Sequence, residues 1–277
     1  MKTDVHPRPG ERRFGAVNWL GLWTLTEKET RRFLKVSAQT IVAPVLTNLM
    51  FLLVFSVALG GREITVEGKP VAFAEFMAAG LVMMAILQNA FANASSSILI
   101  AKIQGNIVDV LMPPLSPSEL TVAFAIGGLT RGAVVAVASW ATLSLGAWAA
   151  GAAPLGVAHL SAILYYGLSA ALAMALLGIL GGIWAEKFDH LALVTNFLII
   201  PLTFLSGTFY SVSLLPEPWH TVSHLNPIFY AIDGFRYGVI GAHEGNLLAG
   251  ALFLCALNLV LALVCWIAFR RGWRMKA

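Results

Sequence analysis

The chain has 277 residues, 58% of them hydrophobic and 12% charged, with 18 lysines and arginines against 14 acids and a mean hydropathy of +0.79. That is about half the charged fraction of a soluble domain, with more apolar side chain than one core can hide, so the totals exclude a soluble globular protein and leave an integral membrane protein. Cys255 and Cys265 lie ten residues apart in one apolar run, which excludes a disulfide framework or a metal knuckle and leaves two small core hydrophobes.

About 35 mostly polar residues precede the first long apolar run, where a secretory signal would place its apolar stretch near the start, so the N-terminus is expected to stay where it was made. Within them Trp19, Leu22, Trp23, Thr26 and Phe33 recur at helical spacing opposite Lys28, Arg31, Arg32 and Lys35. This predicts an amphipathic helix lying along the membrane surface. Runs of about 20 apolar residues then predict six spans, at 36–59, 73–100, 120–150, 157–185, 191–210 and 247–269.

Charge gives the direction. Eight lysines and arginines precede the first span (Lys2, Arg8, Arg12, Arg13, Lys28, Arg31, Arg32 and Lys35) and four follow the last (Arg270, Arg271, Arg274 and Lys276). The positive-inside bias therefore predicts that both termini are cytoplasmic. Lys102 and Lys187 fall in loops that this topology also places inside, while the first outside loop balances Arg62 and Lys69 with Glu63 and Glu67.

In the first inside loop, Ile103, Ile107, Val110 and Leu111 can share one face of a short helix, with Lys102, Gln104, Asn106 and Asp109 on others. The S-P-S-E that follows predicts a crisp helix start: Ser116 caps, Pro117 takes the first helical position and Glu119 reaches back. The loop is a stiff elbow, and its pattern alone leaves open whether it docks a partner or merely connects two spans. Glu75, near the outer end of the second span, is expected to snorkel. Arg131, eleven residues into the third, is too deep for that and must face protein, a polar cavity or a carboxylate. GLTRG (128–132) and GILGG (178–182) permit close helix approach, within one chain or between copies.

Several active-site patterns fail. Gly68-Lys69 is followed by Pro70, and Glu63 stands where a P-loop needs its first glycine, so there is no nucleotide cradle. LSGT (205–208) resembles an ATPase signature and a serine-hydrolase turn, but it lies at the outer end of a span and Phe204 replaces the glycine of G-x-S-x-G, which reads as helix packing. His220 and His224 are spaced i, i+4, yet Thr221 occupies the glutamate position of H-E-x-x-H, and a metal would need a third ligand such as Glu217 or His243. No catalytic and no metal residue is expected.

The stretch SHLNPIFYAIDGFRYG (223–238) cannot be a seventh span without carrying the basic C-terminal tail outside. Asn226 reads as a helix cap with Pro227 at the first helical position. The ~12 residues from 228 to 239 rise only about 18 Å, little more than half the hydrocarbon thickness. They are expected to form the second arm of a re-entrant helical hairpin at about 211–246, entered from outside, with 213–222 as its first arm. Asp233 and Arg236 then pair with each other, pair across a dimer, or contact substrate.

Six spans, a surface helix before the first, a Pro-terminated inner loop after the second, and LTFLSGTFYSVSLLPEPWHTVSHLNPIFYAIDGFRYG before the last together resemble the permease subunit of ABC-2 type exporters. They resemble in particular the small bacterial branch related to multidrug and lipo-oligosaccharide exporters. The resemblance covers nearly the whole chain and is most specific at 201–238, in S-G-x-F-[YF], L-P, N-P-I-x-Y and [DS]-x-x-R. It implies an all-α integral membrane fold of the type V exporter kind, multi-pass in the bacterial inner membrane, with a cytoplasmic segment at 1–35 and a permease domain at 36–277. It implies a second copy of the chain, membrane lipids and a separate ABC ATPase as partners, with ATP and Mg bound by that ATPase and no nucleic acid. By the same likeness, 101–112 is a coupling helix offering Lys102, Ile103, Gln104, Asn106, Ile107 and Asp109, braced by the helix at 19–33. Phe209, Tyr210, Asn226, Pro227, Phe229, Tyr230, Asp233 and Arg236 would shape the outer gate and substrate pathway. Two other classes stay open: a six-span intramembrane hydrolase using Ser206, His220 or His224, and an ion-coupled secondary carrier, which ordinarily shows paired half-chains with matching interruptions.

Overall fold

A computed structural model describes residues 15–59, 62–66, 68–149 and 153–274. Lys2, Arg8, Arg12, Arg13, Glu67 and Lys276, which entered the charge reading, lie outside the described residues, as do the first fourteen positions of the N-terminal segment. The described chain is mostly helical. Its elements are α1 (Trp19–Leu34), α2 (Ala43–Leu59), β1 (Glu63–Val66), β2 (Lys69–Ala72), α3 (Phe73–Ile103), α4 (Ile107–Leu111), α5 (Pro117–Ala149), α6 (Leu160–Trp184), α7 (Phe188–Val194), α8 (Ile200–Leu205), α9 (Trp219–Leu225), α10 (Pro227–Ile240) and α11 (Leu247–Arg271).

Among the described residues six helical segments are long and apolar enough to cross a membrane: Ala38–Ala58, Phe73–Ile103, Pro117–Ala149, Leu160–Trp184, Phe188–Leu205 and Leu247–Arg271. They coincide with the six predicted runs. The first and fifth each contain a π turn, Ala38–Val42 and Thr195–Ile199. Each π turn ends two residues before a proline, Pro44 or Pro201; the missing proline N–H cannot close the ordinary i→i−4 bond, and the wider turn absorbs the interruption.

α5 starts at Pro117, three residues before the predicted span, because the cap is made as the sequence suggested. The Ser116 N–H donates to Glu119 Oε2 at 2.6 Å and the Glu119 N–H to Ser116 Oγ at 3.3 Å. The other carboxylate oxygen, Oε1, accepts the Asn18 N–H at 2.6 Å, and Asn18 in turn caps α1 through Gly21 N–H. One buried carboxylate thus starts two helices. Glu119→Ala is expected to cost about 2 kcal/mol and lower the thermal midpoint in detergent by several degrees, whereas Glu119→Gln, which keeps the acceptor oxygen, should recover part of that loss.

α3 is the central element, 31 residues and about 46 Å long, packed by α6, α5, α10 and α2. Glycines set those approaches. A Cβ on Gly178 would stand 2.6 Å from the Phe91 carbonyl oxygen, one on Gly182 2.7 Å from that of Ser95, and one on Gly128 2.6 Å from Ala175 Cβ. GLTRG and GILGG therefore close α5 and α6 around α3 within one chain. The loop between α2 and α3, read from sequence only as a loop, forms the antiparallel hairpin β1–β2 with Thr65 opposite Pro70. Val66 and Val71 dock it onto Phe76 and Ala242.

α1 departs from its helical-wheel reading. It buries Leu25, Glu29 and Phe33, while Trp19 and Trp23 are 73% and 67% exposed. Arg32, assigned to the charged outer side, turns inward: its Nη2 donates to Asn93 O at 2.7 Å and Asn93 Oδ1 at 3.0 Å, and Nη1 to Ser96 Oγ at 3.3 Å. The wheel assumed a single apolar face toward lipid, but α1 packs on α5, so a second face is also inside.

Candidate functional site: a knot around Gly207, the α4 elbow and a polar cluster

The segment between α8 and α11 is built around a turn that short-range patterns do not reveal. α8 ends at Leu205 with Ser206 as its C-cap, and Gly207 adopts φ +77°, a left-handed conformation that favours glycine. Its carbonyl oxygen accepts Arg236 Nη2 at 2.6 Å, and the same guanidinium lies 3.7 Å above the centre of the Phe76 ring. A Cβ on Gly80 would stand 2.5 Å from the Thr208 carbonyl oxygen, so α3 passes directly beneath this turn. Asn226 ties the turn to α10: its Oδ1 accepts Ile228 N–H at 3.0 Å, while Nδ2 donates to Leu202 O at 2.8 Å and Ser206 Oγ at 2.7 Å. Pro227 opens α10 after the Asn226 cap, as the sequence suggested, and Gly241, not singled out there, closes it with φ +72°.

Asp233 and Arg236 are both buried, but among the described residues no ion pair joins them. Asp233 instead accepts the N–H groups of Glu244 and Gly245 at 2.8 and 2.9 Å, holding the loop before α11. Glu244 Oε2 accepts Val212 N–H at 2.8 Å. Each charge fastens α10 to a different backbone segment, which replaces the direct pair as the intrachain reading. The aromatic side chains are packed inside this chain too. Phe209 meets Phe51, Phe55 and Phe204 with ring centres 5.2–5.5 Å apart. Phe229 is edge-on to Tyr230 at 5.2 Å, and Tyr230 to Phe253 at 5.8 Å. Tyr210 is half-buried in the turn.

Ser206 is buried and its hydroxyl donates to Leu202 O at 2.7 Å while accepting from Asn226, so it is a structural hydroxyl whose hydrogen bonds among the described residues include no activating base. His220 and His224 face each other with Nε2 atoms 3.3 Å apart, and partial burial followed by the neighbouring His220 pushes His224 below the ordinary histidine range. Among the described residues no group of three or more His, Cys, Asp or Glu side chains comes together as a metal site.

At the opposite end, α3 runs past the predicted span end to Ile103 and turns at Gly105, φ +73°, into α4. The apolar face expected for this segment is divided. Ile107 and Val110 turn into the body, whereas Ile103, Val108 and Met112 are 53%, 49% and 77% exposed. Gln104, Asn106 and Asp109 are exposed. Lys102 is not free for a partner: its Nζ donates to Ile183 O and Ala185 O, both at 2.6 Å, closing the C-terminal carbonyls of α6. The elbow is thereby fixed to two spanning helices.

Arg131 finds a partner that was not named from sequence. Its Nε and Nη2 both donate to one oxygen, Asn89 Oδ1, at 3.2 and 2.9 Å. Asn89 belongs to a ladder on α3 in which Asn93 takes Arg32 and Ser97 donates to the buried Glu29 at 2.8 Å. The four-residue spacing of Asn89, Asn93 and Ser97 inside an apolar run was a signal available in the sequence.

The chain matches the family model for the ABC-2 type transporter over residues 21–240, from α1 to the end of α10. It is 34% identical over 260 residues to the inner membrane transport permease YadH of Escherichia coli (strain K12), covering 92% of this chain and 96% of that protein. It is 26% identical over 267 residues to nodulation protein J of Rhizobium leguminosarum bv. viciae, covering 93% and 95%, and 23% identical over 247 residues to that of Bradyrhizobium diazoefficiens, covering 87% and 89%. With its six apolar helices, the chain is a multi-pass inner-membrane protein belonging to the ABC-2 type transporter family, and it is a permease subunit of a transporter.

Proposed function

We propose that two copies of this chain form the passage of an ATP-driven exporter, each docked through the α4 elbow on a separate ABC ATPase that binds ATP and Mg. The observation that carries this reading is the exposed apolar set Ile103, Val108 and Met112 at the tip of the central helix, amid the polar Gln104, Asn106 and Asp109. Closure of two ATPases moves the spans only through a stiff contact. The Gly105 turn, the inward anchors Ile107 and Val110, and the Lys102 bonds to α6 supply one.

The topology that accompanies this proposal has both termini in the cytoplasm, with 1–35 as the interface segment and 36–277 as the permease domain. α10 has 14 residues, about 21 Å, short of the ~30 Å hydrocarbon core, and α9 has 7. Their lengths support a hairpin that enters and leaves on the outer face. α1 then lies at the inner interface with Trp19 and Trp23 toward the head groups. The packed rings of Phe209, Phe229 and Tyr230 form a closed outer gate, held by Asn226, Asp233 and Arg236.

The test is co-expression with the candidate ATPase. The permease should copurify with it, and vanadate-sensitive ATP hydrolysis should rise in the complex over the ATPase alone. A permease that moves its passenger on an ion gradient without ATP would contradict the proposal.

A further inference from the structure

α3 is enclosed except along one line. From 76 to 100 its only accessible positions are Gln88, Ala92, Ser96 and Ile100, spaced four apart and therefore on one edge of the helix. Ile100 ends the line near the helix terminus, but Gln88 and Ser96 put two polar side chains on the accessible edge, where an edge facing lipid alone would carry Leu, Ile, Val or Phe. The same stretch of α3 bonds both arginines of the inner cluster, Arg32 through Asn93 and Ser96, and Arg131 through Asn89.

The charges of that cluster do not cancel. Glu29 Oε2 lies 3.4 Å from Arg32 Nε, which pairs one arginine with the one carboxylate. Arg131 has a neutral amide oxygen as its acceptor, with two of its five N–H donors directed there, and Arg32 adds to the positive potential it feels. Arg131 is partly exposed, and one turn along α3 from its partner Asn89 the buried Asn93 Nδ2 has no hydrogen-bond partner among the described residues. An uncompensated guanidinium at this depth is costly unless an anion visits it.

We propose that Arg131, with Arg32 beside it, binds the oxyanion head group of an anionic amphiphile in the space along Gln88, Ala92 and Ser96. This rests on the reading that the chain lines a passage, and it narrows the passenger or associated lipid to those with a phosphate-like head, the chemistry a guanidinium fork fits best. The apolar tail stays among the spans while the head is held at the arginines. Glu29 keeps Arg32 oriented, leaving Arg131 as the charge available to the ligand.

The experiment uses Ala92→Cys in the full chain with Cys255 and Cys265 replaced by serine, purified into phosphatidylcholine nanodiscs without any ATPase, so that its outcome is independent of the docking proposal. The introduced thiol should react with water-soluble methanethiosulfonates, and the anionic sulfonatoethyl reagent should be favoured over the cationic trimethylammonium reagent by about tenfold relative to a free thiol. Dodecyl phosphate should protect it and dodecyltrimethylammonium should not. Arg131→Gln should abolish both the anionic preference and the protection, whereas Arg131→Lys should keep the preference; equal thermal midpoints, or the lysine variant alone where the glutamine variant does not fold, separate charge from structure. If phosphatidylglycerol in the disc also protects, the anion is a membrane lipid, and if only dodecyl phosphate does, it is a passenger; both results support the site. No reaction with either water-soluble reagent, or a preference that survives Arg131→Gln, would overturn it.

Discussion

Arg236→Ala is expected to leave a protein that no longer holds α10 against α3 and the Gly207 turn, with a loss of about 3–5 kcal/mol. Arg236 is 1% exposed. Its removal strips the donor from the Gly207 carbonyl and empties the space over the Phe76 ring. Lysine would not rescue it fully, because a single ammonium cannot both stack flat on a ring and reach the carbonyl in the guanidinium geometry. Gly80→Val tests the same contact from the other side, since its Cβ would meet the Thr208 carbonyl at 2.5 Å. Both variants should elute as aggregates, or melt more than about ten degrees lower than the parent, in detergent size-exclusion and thermal assays. A normal profile for both would show that the turn at Gly207 does not hold α3 and α10 together.

Val108→Asp combined with Met112→Asp should behave in the opposite way, folding normally and losing the proposed ATPase partner. The two side chains are 49% and 77% exposed, so neither change disturbs packing. Placing two carboxylates in an apolar docking contact should cost about 2 kcal/mol or more, roughly thirtyfold in affinity. Pull-down with the ATPase and the ATP hydrolysis of the reconstituted complex both report it. Ile107→Asp is the instructive contrast: at 2% exposure it should lower thermal stability, because that side chain anchors the elbow to its own chain.

The parts of this molecule that could be read from sequence are those whose causes are local. Six apolar runs of membrane length, the Asn226-Pro227 and Ser116-Pro117-Ser118-Glu119 helix starts, and the excess of cations at both ends each depend on neighbours a few residues away. What escaped the reading depends on contacts across the chain. Asn89 lies 42 positions from Arg131 and Gly207 lies 29 from Arg236, and no periodicity links such pairs. Asp233 and Arg236 share a helix face, which made a direct pair plausible; the nearby N–H groups of Glu244 and Gly245 took the carboxylate instead. Arg32 was misplaced because amphipathicity sorts side chains into two faces, while α1 also packs one side against α5 and α3 of its own chain. The β1–β2 hairpin was missed because its strands are four residues each, too short for alternation to stand out from loop chemistry.

The central claim is that the basic ends of the chain lie on one side of the membrane while the segment before the last span returns to the other. In intact cells and with the native cysteines replaced, Leu214→Cys, 74% exposed before α9, and Trp273→Cys, 49% exposed after α11, can be treated with a membrane-impermeant maleimide. Labelling at 214 from outside, and at 273 only after the cells are opened, is the expected result. Labelling at 273 in intact cells would make α9–α10 part of a seventh crossing, and the permease topology proposed here would fail.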